Sequence, residues 1–302
     1  MKQKTNSNIV KLVSVIILGF ILIFASKEFA SSNINKNVIS VEGIENISII
    51  TGEDCITKID ENDKKLRVYF FDVGQADSIL ITENGKTMLI DAGNNDDGDM
   101  IVNNIKKLGI KKIDYLIGTH PHEDHIGGLD NVIDSFDIGK IYMPKVVSNT
   151  KTYEDVLDSI SNKNLTITTP EVGGKFSLDN TNCEVMSVGT DSDNLNTCSI
   201  VLRIEKDNIS YMFMGDAEET NEISRKWTQT TILKIGHHGS KSSTSESFLN
   251  QVMPKISIIS VGEDNKYGHP HSEILEKLTR INSKIYMTKD LGNILIVQNS
   301  DK

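Results

Sequence analysis

The stretch from Thr119 to Gly128 reads THPHEDHIGG, and six consecutive residues of it, His120 to His125, hold three histidines and two carboxylates. It follows IDYLIGT, residues 113 to 119, an apolar run with the composition of a buried strand. A strand that runs into so many polar groups must deliver them at its end, where the chain leaves the core. His120 and His122 are two apart, so from extended backbone both side chains leave the same face and can grip one ion. Asp124 and His125 open the helix that follows and address a neighbouring position. Two adjacent metal sites are expected. Imidazole mixed with carboxylate suits Zn²⁺, Mn²⁺ or Fe better than Ca²⁺ or Mg²⁺. The plain alternative, a solvated loop with surface histidines, is a poor account of four candidate ligands in six residues.

The surrounding pattern sets the fold class. LRVYFFDV, DSILIT and KTMLIDAG read as three strands, with Glu83-Asn84-Gly85 as a hairpin signal. After Asp91-Ala92-Gly93-Asn94 a helix is expected to about Leu108, then the strand into the histidine cluster, then a helix from about Tyr153 to Ser161. A second set of strands follows in SIVLRIEKD and ISYMFMGDA. Helix EETNEISRKW, strand TILKIGHHGS, helix SESFLNQVM, strand KISIISVG, helix SEILEKLTR and strands near KIYMTK and NILIVQ complete the chain. Strands open each half and helices intervene, which predicts an α/β protein of two face-to-face sheets with helices outside, an α/β/β/α sandwich.

Two segments stand apart. LVSVIILGFILIFA, residues 12 to 25, is charge-free and follows Lys2, Lys4 and Lys11. Its length suits the apolar region of a secretory signal, and with Ile9 and Val10 it approaches a spanning helix. FASKEFASS offers no good A-x-A cleavage site, which favours an uncleaved anchor, and the basic flank would stay in the cytoplasm with the rest of the chain outside. The expected organisation is an anchor or signal over 1–26, a polar linker over 27–63 holding at most one short strand, and one domain over 64–302. The 302 residues carry three cysteines, too few for a disulfide framework, and a Cys183–Cys198 bridge stays open. A formal charge of -10 without a basic stripe weighs mildly against tight non-specific nucleic-acid binding.

HxHxDH after a strand resembles the signature of the metallo-β-lactamase fold superfamily. LIDAG at 89–93 is similar to that superfamily's first motif, which implies that Asp91 orients ligands by hydrogen bonds, and MGDA at 214–217 to its bridging-aspartate motif, which assigns Asp216 to both ions. The resemblance also makes His238 a metal ligand and His237 a substrate-facing group. Many members place a further histidine before the bridging aspartate. No histidine lies between His125 and His237 here, and the corresponding region, DNLNTCSIVLRI, offers only Asn194, Asn196 and Ser199, which are weak ligands. The ordered set FDVGQADSILI, LIDAGN, THPHEDHIGG, N-x-x-S-x-V-L, MGDA, LKIGHHGSKSSTS and ISVGEDNKYGHPH resembles the extracytoplasmic hydrolase domain of the ComEC competence family. The HHG element and the missing histidine are similar to phosphorylcholine esterases.

The resemblance implies two divalent cations, Zn²⁺ or Mn²⁺, and metal-assisted hydrolysis of a phosphoester outside the cytoplasm. His120, His122 and Asp216 would hold one ion; Asp124, His125, Asp216 and His238 the other. Asp124 and His237 are the residues expected nearest the reaction. His269 is read equally as part of a helix entry, with Ser272 as cap, and as a site-lining proton donor. The expected substrate is a phosphodiester, single-stranded DNA or a wall polymer, with no obligate protein partner evident. β-Lactam hydrolysis is the runner-up among enzymes, a di-iron redox role stands behind it, and a non-catalytic surface binder is the alternative of another class.

Overall fold

In the computed structural model the described residues are 38–40, 44, 46–189 and 193–299. The expected anchor or signal over 1–26 lies outside them. Among the described residues no helix is long and apolar enough to cross a membrane.

The chain forms β1 (Val38–Ser40), β2 (Ile47–Thr51), β3 (Leu66–Phe70), β4 (Ile79–Glu83), β5 (Lys86–Ile90), β6 (Lys112–Ile117), β7 (Asp137–Tyr142) and β8 (Ile167–Thr168) of one sheet. It then builds a second sheet from β9 (Lys175–Leu178), β10 (Thr181–Ser187), β11 (Val201–Lys206), β12 (Ile209–Phe213), β13 (Ile232–Lys234), β14 (Ile256–Ile259) and β15 (Lys284–Met287), before β16 (Ile294–Gln298) returns to the first. The orders are β1-β2-β16-β3-β4-β5-β6-β7-β8 and β15-β14-β13-β12-β11-β10-β9. In each sheet an antiparallel meander gives way to parallel strands, from β5 onward in the first and from β12 onward in the second.

The alternation of side chains builds four layers. Ile79, Ile81, Met88 and Ile90 pack against Leu202, Ile204, Tyr211 and Phe213 between the sheets. Leu80, Leu89, Leu116 and Ile141 face the other way, onto the helices Gly98–Lys107, Leu129–Ser135 and Lys151–Asn162. Met212 and Leu233 do the same in the second sheet, against the helices Glu246–Val252 and Ser272–Arg280. Strands covered on both faces read as continuous apolar runs, which is why DSILI and TILKI carry no polar alternation. The expected two-sheet sandwich is the observed one.

The expected linker is partly structural. β2 pairs antiparallel with β16, opposing Ile49 to Ile296 and Thr51 to Ile294, and both Ile47 and Ile49 are buried. The turn after it buries Cys55 beside Asn293. A short apolar patch in polar surroundings looks like tether, but the final strand needs a second neighbour and takes this one. Two shorter departures occur: the helix expected over EETNEISRKW spans only Glu219–Ile223, and β1, β7, β8, β9 and β10 have no counterpart in the sequence reading. Cys55, Cys183 and Cys198 are all buried and none is in a disulfide, so no bridge joins the last two.

A fragment of residues 64–302 should therefore be less stable than one of residues 46–302. The loss should be at least about 3 kcal/mol, because two isoleucines each contribute roughly 1.5–3 kcal/mol on burial. Urea denaturation of the two fragments checks this, and equal midpoints would return β2 to the linker.

Candidate metal centre

Every parallel strand near the centre of each sheet ends in a polar group of the same cluster. Asp91 follows β5, Thr119 and His120 follow β6, Asp216 follows β12, His237 and His238 follow β13, and Ser260 follows β14. Ligand sites gather at the carboxyl ends of parallel strands, where the backbone leaves the sheet. Here the two sheets contribute jointly, since Asp216 N donates to Ser199 Oγ at 3.0 Å and Ile200 N to Thr119 O at 3.0 Å. Gly127 lets the His125 turn approach the first motif: a Cβ there would fall 2.2 Å from the backbone carbon of Asn94.

Hydrogen-bond logic fixes which ring atoms are free. A carboxylate only accepts, so Thr119 Oγ1 donates to Asp91 Oδ2 at 2.7 Å and must itself accept from His120 Nδ1 at 3.2 Å. That leaves His120 Nε2 bare. His125 Nδ1 donates to Asp91 Oδ2 at 2.8 Å and His238 Nδ1 to the Ser260 carbonyl at 3.0 Å, which turns both of their Nε2 atoms toward the remaining donors. Partners of this kind hold a ligating imidazole in the right tautomer and orientation.

The bare atoms fall into two sets. His120 Nε2 lies 3.0 Å from His122 Nδ1 and 3.9 Å from Asp216 Oδ2. Donor atoms of Asp124, His125, Asp216 and His238 all lie within 4.8 Å of one another. Asp216 Oδ1 stands 3.1 Å from His125 Nε2 and 3.6 Å from His238 Nε2, and all three atoms are buried without a hydrogen-bond partner. Buried polar atoms left unpaired cost on the order of 1–3 kcal/mol each, more when charged. Three of them converging on one point fit a cation, and the N₂O₂ donor set fits a transition metal.

The electrostatics agree. Burial and the neighbouring His125 hold His120 well below the usual imidazole range. His125 is held well above it: burial opposes this, but Asp216, Asp91 and Asp124 prevail. His238 is raised by Asp216 and Asp77, again against burial. Burial works against the Asp216 carboxylate too, yet His125 and His238 keep it well below the usual range. Protons on the metal-free ligands thus occupy positions where a cation would displace them.

The structure brings together every residue expected here: His120, His122, Asp124, His125, Asp216 and His238, with Asp91 behind them. His237 and His269 join them in a cavity of about 350 Å³, lined also by Gln75, Glu123, Asn196 and Tyr267. His237 holds its Nδ1 3.1 Å from Ser242 Oγ. Gln75 Oε1 accepts from Gly262 N, so its Nε2 donates to His269 Nδ1 at 3.2 Å and the ring hydrogen of His269 sits on Nε2. Burial and the surrounding His237, His238 and His271 lower His269 to about 4, which makes it a neutral imidazole at pH 7. The helix that follows is capped at His271, and Ser272 is its first residue.

Sequence reasoning missed Asp77 and Lys234. Lys234 Nζ, fully buried, donates to Asp77 Oδ2 at 2.8 Å and to the Ile235 carbonyl at 3.0 Å. Asp77 N donates to Asp124 O at 3.0 Å, and its Oδ1 lies 3.6 Å from His238 Nδ1. The pair braces both halves of the second donor set. Its signal was a charged residue inside each of two otherwise apolar strand runs.

The profile of the metallo-beta-lactamase superfamily matches residues 71–263. The chain belongs to that superfamily. It is 32% identical over 191 residues to ComE operon protein 3 of Bacillus subtilis, covering 62% of this chain and 25% of that one. It is 30% identical over 235 residues to Recombination protein 2 of Haemophilus influenzae, covering 74% and 28%. Competence protein ComA of Neisseria gonorrhoeae is 25% identical over 246 residues, covering 78% and 32%. The chain thus spans a quarter to a third of the length of these relatives. Among solved structures, CmlA, a diiron beta-hydroxylase from Streptomyces venezuelae, superposes with a TM-score of 0.53 at 12% identity, covering 78% of this chain and 54% of that one. At that identity the likeness is one of fold.

Replacing Lys234 by Met should leave Asp77 buried without its cation. The expected cost is about 3–5 kcal/mol in stability and a 10- to 100-fold weaker metal affinity, the usual effect of removing a group that orients ligands. Chemical denaturation of the metal-free protein and a metal titration read the two effects separately; no change in either would remove the pair from the site.

Proposed function

We propose that the protein is a dinuclear metal-dependent phosphodiesterase acting outside the cytoplasm, with DNA as the favoured substrate. The observation that carries this is Asp216, whose two carboxylate oxygens face different donor sets, Oδ1 toward His125 and His238 and Oδ2 toward His120. His120, His122 and Asp216 would hold one divalent cation; Asp124, His125, His238 and Asp216 the other. Such a pair supplies a water acidified to near neutral pH and stabilises charge developing at phosphorus. The chain's own groups do the rest. Asp91 and Ser260 lock the imidazoles, so little reorganisation is needed during reaction. His237, on the pocket wall 3.6 Å from Asp216 Oδ2, is the group placed to give a proton to the departing oxygen. His269, neutral at pH 7, hydrogen-bonds the substrate rather than protonating it.

The competence-protein relatives support DNA over a small phosphoester, and the basic flank of the apolar run at 12–25 supports a membrane-held enzyme with its domain outside. The deciding experiment is cleavage of labelled single-stranded DNA by the purified protein with Mn²⁺ or Zn²⁺, beside Asp216→Asn. Cleavage by the wild type is expected, with a loss of at least about 10²-fold in the variant, since even indirect support of a metal ligand is worth 10- to 100-fold. A metal-loaded wild type that leaves DNA intact but cleaves a phosphorylcholine ester would move the substrate to wall polymers. Full activity in Asp216→Asn would overturn the site.

A further inference from the structure

The superfamily's missing histidine leaves the first cation with three protein donors, and the turn that should have carried it, Leu195–Cys198, is built with care. It is bolted to both neighbours of that cation: Ser199 Oγ lies 3.3 Å from His120 Nδ1 and accepts from Asp216 N. Glu218, the residue that caps the helix Glu219–Ile223, is the hub that holds this turn. Its Oε2 accepts from Asn194 Nδ2 at 2.9 Å and its Oε1 from Asn196 Nδ2 at 3.2 Å, while Asn194 Oδ1 accepts from Asn196 N at 3.2 Å.

This network settles which way the Asn196 amide faces. A carboxylate accepts and never donates, so Asn196 must present its NH₂ to Glu218. Its carbonyl oxygen is then turned away. That oxygen is buried without a hydrogen-bond partner, and Asn196 lines the same cavity as His122, Asp216 and His237. An amide oxygen held in this way is an acceptor with nothing to accept, on a residue that lines the cavity where the first donor set is one short.

We infer that Asn196 Oδ1 is the fourth protein donor of the first cation, held in register by Glu218 as a positioning residue. The inference rests on the two-cation reading of the site. It makes the two sites chemically unequal: the first has two imidazoles, one shared carboxylate and a neutral amide, the second two imidazoles and two carboxylates. The first site should be the weaker one, and its amide oxygen should incline it toward Mn²⁺.

The test is equilibrium binding of Mn²⁺ to the full chain, followed by metal content and electron paramagnetic resonance, for the wild type, Asn196→Ala and Glu218→Gln. The wild type should bind two equivalents, one weaker. Asn196→Ala should weaken that one by at least tenfold and leave the tighter one unchanged. Glu218→Gln, which lets the amide turn over, should do the same to a smaller degree. A wild type that binds fewer than two equivalents sinks the two-cation reading itself. Two equivalents in the wild type with unchanged affinities in Asn196→Ala overturn the inference alone, and a raised KM for the diester in that case would give Oδ1 to the substrate. If Asn196→Ala does not fold, unchanged weaker-site binding in Glu218→Gln overturns it.

Discussion

The structure is organised around negative charge that it buries and does not neutralise. Asp77, Asp91 and Asp216 are each about 1% exposed, Asp124 faces the same cluster, and one buried ammonium, Lys234, stands against the four. Leaving the histidines out of the count, Lys234 is the one lysine or arginine that pairs with these four among the described residues, and three carboxylate charges are left over. Desolvating a carboxylate costs several kcal/mol even after relaxation. Protons on His125 and His238, both raised by the carboxylates around them, offset part of that cost, and divalent cations held there would offset the rest. The rest of the site follows from holding these carboxylates apart from water and close to one another.

Holding them there strains the backbone where the strands end. Asp91 has φ +58°, and His237 and His238 have φ +49° and +52°, all in the left-handed region that non-glycine residues seldom occupy. Such conformations cost on the order of 1–3 kcal/mol each and persist when the surroundings over-determine them. The surroundings are specific: Asp91 accepts from Thr119 N and Oγ1 and from His125, and the His237–His238 turn is pinned by Gly215 O and Ser260 O. The three interlayer cores supply the rigidity that these turns consume.

The sequence made the local parts of this arrangement legible and hid the remote ones. HxHxDH is contiguous, so its spacing on a strand end was enough to divide it between two cations. Asp216 and His238 sit far along the chain and were reached only through motif resemblance. Asp77 and Lys234 are 157 positions apart in number and meet only because the chain enters β4 close to where β13 ends. Glu218 was hidden for the same reason, in a helix-entry sequence that reads as ordinary capping. β2 reads in the sequence as at most one short strand inside a linker, because its pairing with β16, 247 positions later at Ile49 and Ile296, leaves no local sign.

The cavity lining then decides how an anion can bind at all. Gln75, His122, Glu123, Asp124, Asn196, Asp216, His237, His238, Tyr267 and His269 include three carboxylates and, among the described residues, no lysine or arginine. A phosphate diester entering the metal-free cavity meets net repulsion in a setting where water screens poorly. Among the described residues that line the cavity, no guanidinium or ammonium reverses that sign. Divalent cations held by these residues would reverse it, and cation binding and anion binding would then become one coupled equilibrium, each raising the affinity of the other by the same factor. Neutral groups such as His269, Gln75 and Asn196 are then what the cavity wall requires: they orient an anion drawn in by the floor without competing for it.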